Sequence, residues 1–178
     1  MEKAEGRRMQ AKAKRPKRVA GGDKAALYAG LERQLAALLA GERDFIANAA
    51  NTAALLYHAL PEVNWAGFYR LVDGELVLGP FQGRIACVRI PRGRGVCGTA
   101  AARRETVCVP DVHEFPGHIA CDSASNSEIV VPLVRAGRLL GVLDLDSPRL
   151  GRFDAADQAG LEKLAGMFVA ALAADDDG

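Results

Sequence analysis

The chain has no apolar run that approaches the roughly 20 residues a membrane-spanning helix needs, and its longest uncharged stretches are broken by Gly, Asn or Pro. That excludes a helical bilayer span. The N-terminus is basic but lacks an apolar segment leading to small residues at a cleavage site, so no secretory signal is expected and the cytoplasm is the default compartment. Histidine is scarce, at 3 in 178 residues, and no two of the 4 cysteines have C-x-x-C spacing. A finger-type zinc site is thereby disfavoured, and no bound metal is expected. Residues 1–24 lack aromatic residues and apolar periodicity, yet hold nine Lys or Arg against Glu2, Glu5 and Asp23. Such a segment buries too little surface to fold, so residues 1–22 read as a disordered basic arm. This arm holds a net +6 within a chain whose formal charge is +1, leaving about −5 on the remainder. Nothing in the folded part supports nucleic-acid binding.

What the chain does have is enough apolar residues, 49%, to build one sizeable core in a single domain, placed at residues 23–174 with an acidic tail at 175–178. Leu27, Leu31, Leu35, Leu38 and Leu39 follow helical spacing after a cap at Asp23, and Gly41 ends the run. This predicts a helix over 24–40. A second stripe of Phe45, Ile46, Ala49, Ala53 and Leu56 predicts a helix over 42–60, stopped by Pro61. Residues 63–72 and 75–79 read as a hairpin about Asp73-Gly74. Further strands are expected at 84–90 and 106–109, with a short helix at 96–103 between them. A second hairpin, 128–134 with 138–146, turns at Ala136-Gly137, and an amphipathic helix over 154–173 closes the chain. The sum is an α+β architecture, a central antiparallel sheet of about six strands with helices packed on it. Residues 110–127 fit no element, and a loop of that length in a compact domain is usually functional.

The cysteines, at 87, 97, 108 and 121, crowd into 35 residues, which in a cytosolic protein argues for redox or metal chemistry over structural disulfides. Cys121 with His113 and His118 on the long loop is the one conceivable zinc set. Cys108 lies in an ordinary strand interior, Val107-Cys108-Val109, and reads as a small buried hydrophobe. Cys97 sits at a helix N-terminus near Arg92 and Arg94, features that favour a thiolate. The glycines of Gly93-Arg94-Gly95-Val96-Cys97-Gly98 lack the ending of a P-loop and are explained as well by close backbone packing.

Several longer segments carry a resemblance. They are Asn64-Trp65-Ala66-Gly67-Phe68-Tyr69, Leu78-Gly79-Pro80-Phe81-Gln82-Gly83, Gly95-Val96-Cys97-Gly98-Thr99-Ala100, Pro110-Asp111-Val112-His113, and Phe115-Pro116-Gly117-His118-Ile119-Ala120-Cys121-Asp122. Ser125-Asn126-Ser127-Glu128-Ile129-Val130, Gly141-Val142-Leu143-Asp144 and Asp146-Ser147-Pro148 complete the set. Together they resemble the free methionine-R-sulfoxide reductases, enzymes built on a GAF domain, from about Tyr28 to the last helix.

The resemblance implies a GAF-type fold and roles for named residues. Cys121 is the nucleophile that attacks the sulfoxide sulfur, releasing methionine and leaving a sulfenic acid. Cys87 condenses with it to a disulfide, which thioredoxin reduces with electrons from NADPH, so no cofactor is bound. Cys97 matches a third family cysteine, either an alternative resolver or a bystander. The resemblance also suggests a homodimer.

Turning a sulfoxide oxygen into water requires protons, and Glu128, Asp144 and Asp146 are the candidate donors. Asp144 and Asp146 lie two apart on one strand and share a face, and Glu128 begins the neighbouring strand. Three acids facing one cavity raise one another's pKa and attract a cation, so at least one of them is expected to pair with the ammonium of a free amino acid. Trp65 and Tyr69, four apart on a strand, share one face, which the resemblance places against the thioether methyl, with plain core packing as the alternative. A GAF domain that binds a small molecule without catalysis is the alternative, and it lacks a reason for the reductase cysteines.

Overall fold

The computed structural model describes residues 23–119 and 123–173. The expected basic arm, Cys121 and the acidic tail lie outside the described residues. Two helices come first, α1 (Lys24–Leu39) and α2 (Phe45–Ala59). The Asp23 carboxylate accepts from the Ala25 N–H at 2.9 Å to start α1. Helix α2 begins three residues later than its apolar pattern suggests. Asp44 accepts from the Ala47 N–H at 2.7 Å, and Glu42 folds back onto the amides of Arg43 and Asp44, so residue 42 belongs to the cap region.

The strands are β1 (Trp65–Val72), β2 (Glu75–Gln82), β3 (Arg89–Pro91), β4 (Val107–Val109), β5 (Ser127–Arg135) and β6 (Arg138–Ser147). They form one sheet in the order β3-β2-β1-β6-β5-β4, with every pairing antiparallel. Both tight hairpins turn where expected. Asp73 and Gly74 have φ of 50° and 84°, and Ala136 and Gly137 have 48° and 80°, the paired positive values of a type I′ turn. Helix α3 (Gly95–Arg103) lies between β3 and β4, a 3-10 turn (Val112–Glu114) opens the long loop, and α4 (Ala155–Ala171) closes the fold with a capping box between Asp154 and Asp157.

One expected strand, 84–90, is mostly absent. Residues 83–88 are irregular, and only Arg89–Pro91 pairs with β2, which itself runs on to Gln82. The reason lies in distant side chains. The Trp65 indole N–H donates to the Arg84 carbonyl at 3.1 Å, and the Tyr69 hydroxyl donates to the Cys87 carbonyl at 3.1 Å. Acceptors that a ladder would have used are bound to the sheet's side chains instead.

The period of two in β1, β5 and β6 gives the sheet two unlike faces. Ala66 and Phe68, Ile129 and Val131, and Leu143 and Leu145 point to one side and pack against α1, α2 and α4. Trp65, Gly67 and Tyr69, Glu128 and Val130, and Val142, Asp144 and Asp146 occupy the other, where α3 and the long loop cover them. Among the described residues no helix is long and apolar enough to cross a membrane.

Candidate active site

Strand register assembles the second face. Trp65 pairs with Asp146 and Gly67 with Asp144, while Glu128 stands opposite Asp146 on the other side of β6. Three strands thus bring three acids and two aromatic rings to one patch. Trp65 and Tyr69 are stacked, with ring centroids 5.9 Å apart, and Trp65 stacks on Phe81 at 5.3 Å. Gly67 permits this. A Cβ there would meet the Trp65 ring at 2.6 Å and Phe81 at 2.4 Å, so only glycine lets the indole lie across the strand.

Above this floor is a cavity of about 490 Å³, mouth included, lined by Trp65, Tyr69, Cys97, Glu128, Asp144 and Asp146. All six belong to the residue set expected from sequence. Ile85 and Ala86 from the irregular loop, and His118, Ile119 and Ser125 from the long loop, complete the walls. Cys87 is half-buried in the same irregular loop and is disulfide-bonded, whereas Cys97 and Cys108 are free thiols. Cys108 behaves as its strand position suggests, half-buried with its thiol 3.5 Å from the Phe153 carbonyl, away from the cavity.

The electrostatics of the cavity are those of charge removed from water. Burial first, and then Asp144 and Asp146, hold the Glu128 carboxyl well above the ordinary range. Burial raises Asp144 to about 7, against the opposing pull of hydrogen bonds with Cys97 and Glu128. The cluster therefore holds protons at neutral pH. Asp144 Oδ1 is buried with no hydrogen-bond partner among the described residues, a costly arrangement that a donor entering the cavity would relieve.

Cys97 departs from expectation. Its place near the start of α3 favours a thiolate, but the thiol points into the acids, with Sγ 3.8 Å from Glu128 Oε1. Burial, Asp144 and Glu128 all push its pKa up, so it is held as a thiol. Burial together with the neighbouring acids outweighs the partial charge of a helix end.

His118, considered from sequence only as a conceivable zinc ligand, instead lines the cavity with Nε2 3.7 Å from Glu128 Oε2. His113, its expected companion, is exposed and meets Asn126 Oδ1 at 3.0 Å. The two imidazoles serve different neighbours. The donor set a cation could use is Cys97, Glu128 and Asp144, whose ligand atoms all lie within 4.8 Å of one another.

A cavity with a proton-bearing acid cluster, an aromatic wall and a buried thiol suits a polar ligand that carries a cation. Residues 47–173 match the GAF domain family model. Free methionine-R-sulfoxide reductase of Escherichia coli is 58% identical over 154 residues, covering 86% of this chain and 93% of that protein. The chain belongs to the GAF-domain free methionine-R-sulfoxide reductases. Among solved structures of this reductase family, the Neisseria meningitidis enzyme in complex with its substrate superposes with a TM-score of 0.82 at 51% identity, covering 85% of this chain and 92% of that one. The reduced form of the Staphylococcus aureus enzyme gives 0.80 at 50% identity, over 82% of this chain and 95% of that one.

Proposed function

We propose that the protein reduces free L-methionine-(R)-S-oxide to L-methionine with its own thiols and is recycled by thioredoxin. The observation that carries this reading is the buried acid cluster with its unpartnered Asp144 Oδ1, facing Trp65 and Tyr69 across one cavity. A sulfoxide oxygen accepts the proton such an acid holds, an ammonium donates to a carboxylate that remains ionised, and a thioether methyl suits the indole face.

Cys121 attacks the sulfoxide sulfur as a carboxyl of the cluster gives its proton to the oxygen. The oxygen passes to the cysteine, so that one thiol and one sulfoxide become one sulfenic acid and one methionine. The Cys87 thiol then displaces water from the sulfenic acid and forms a disulfide. That Cys87 is disulfide-bonded while Cys97 and Cys108 are free supports the pairing of Cys87 with Cys121. A thioredoxin dithiol, itself reduced from NADPH, returns two electrons by exchange. No bound cofactor has a part in this sequence. We place the enzyme in the cytoplasm, where thiols are kept reduced, and propose a homodimer on the family resemblance.

The test is turnover of the R epimer with thioredoxin, thioredoxin reductase and NADPH. NADPH oxidation is expected with the wild-type protein and none with Cys121→Ser, since Cys97, the free thiol that lines the cavity, is held protonated and is a poor nucleophile. Turnover of the variant near the wild-type rate would refute the assignment.

A further inference from the structure

An α-amino acid carries its ammonium and its carboxylate on the same carbon, so a pocket that reads both must set an acid and a donor side by side. Three acids in this cavity can meet the ammonium, but burying the carboxylate without a partner would cost as much. Among the described lining residues, His118 is the one basic side chain. Its Nε2 stands 3.7 Å from Glu128 Oε2, and the two side chains are 16% and 8% exposed, so His118 is at the rim and Glu128 beneath it. This adjacent acid and base are the complement of a zwitterion.

We propose that His118 is the specificity residue that recognises the substrate's carboxylate. The proposal rests on the reading of the protein as a reductase of a free amino acid and names the second half of its headgroup recognition. Burial and the nearby His113 hold the His118 imidazole below its ordinary range, so the neutral ring donates one hydrogen bond to the carboxylate, while the neighbouring acids hold the ammonium. The main chain at His118 is tied to the loop, where its N–H donates to the Phe115 carbonyl at 3.1 Å. The preceding Gly117 has a φ of 73°, in the left-handed region that glycine adopts freely. A residue inside a polypeptide has no such carboxylate, so the same contact discriminates against protein-bound methionine sulfoxide.

The experiment compares free methionine-R-sulfoxide with its C-terminal carboxamide and with the N-acetyl compound, in the wild type, His118→Leu and His118→Lys, with thioredoxin as reductant. In the wild type the acid should exceed the carboxamide in kcat/KM by on the order of ten- to a hundredfold, the worth of a charge-assisted hydrogen bond. His118→Leu, which has no donor, should raise KM for the free acid by most of that factor, leave kcat within about threefold, and abolish the preference over the carboxamide. Discrimination against the N-acetyl compound should persist, because it is read by the acids, and His118→Lys should restore the preference for the acid. Retention of the acid-over-carboxamide preference in His118→Leu would overturn the proposal, as would equal loss of both discriminations, which marks a general disturbance of the pocket. A wild type that turns over none of the three compounds would instead refute the reductase reading itself.

Discussion

Asp144 is buried beside Cys97 and Glu128, and its carboxyl is raised to about 7. For an acid whose pKa is higher in the folded than in the unfolded chain, the folded state binds the extra proton. Stability is therefore full below the ordinary carboxylate range and declines as pH rises towards 7. Asp144→Asn removes that penalty, and at pH 8 its melting temperature should exceed the wild type's by roughly 5 °C. The same change removes a proton from the cluster, so methionine formation should fall at least tenfold or so. Thermal melts at pH 5 and pH 8 check the sign, and a variant less stable at pH 8 would contradict it. For the wild type, kcat should decline as pH passes above about 7, as the cluster loses the proton it would donate. Cys87 sits differently, half-buried on the irregular loop next to the cavity-lining Ala86. Cys87→Ser should release about one methionine per enzyme and then stall with thioredoxin, since the sulfenic acid forms without its resolver. Loss of that first turnover would move Cys87 into the attack step.

Strand β1 does at the element scale what no single residue could do. Its alternation sends Ala66 and Phe68 into the helical core and Trp65 and Tyr69 into the cavity, and Gly67 leaves the gap across which the indole lies. Gly67→Ala would set a methyl 2.4 Å from Phe81 Cβ and 2.6 Å from the Trp65 ring, so the ring must move. A KM increase of about tenfold with a stability loss of roughly 1–3 kcal/mol is expected, read from kinetics and urea unfolding. An unchanged KM would show that Trp65 has no part in binding. The irregular loop 83–88 is the counter-example. Its composition suits a strand, yet its carbonyls accept from Trp65 and Tyr69, residues 19 and 18 positions away. Local pattern has no access to an acceptor taken by a distant donor.

At the scale of the whole molecule, one buried carboxylate joins parts that are far apart in the chain. Asp157, fully buried in α4, accepts from Arg152 Nη1 at 3.0 Å and from the Tyr28 hydroxyl at 2.9 Å, and pairs with Lys24 of α1. Arg152 in turn donates to the Pro61 carbonyl, and its amide meets Ser127 Oγ beside Glu128. Asp157→Ala strands a buried guanidinium and should cost about 3–5 kcal/mol. The melting temperature should drop by roughly 10 °C, and a change of only a degree or two would show the network to be dispensable. This network was not legible beforehand, because in sequence Asp157 is an unremarkable acid in the first turn of a helix. The amino-acid pattern by itself determined the helices, both I′ hairpins, the antiparallel α+β class and, through the family-like motifs, most of the cavity's residues. These depend on neighbours within a few positions or on alternation along one strand. Only the tertiary structure decided that Cys97 is held as a thiol despite its helix end, that His118 faces Glu128 while His113 does not, and that residues 84–88 leave the sheet. Each of those outcomes turns on burial and on charges brought from other strands, and such forces exist only once the sheet has closed over its second face.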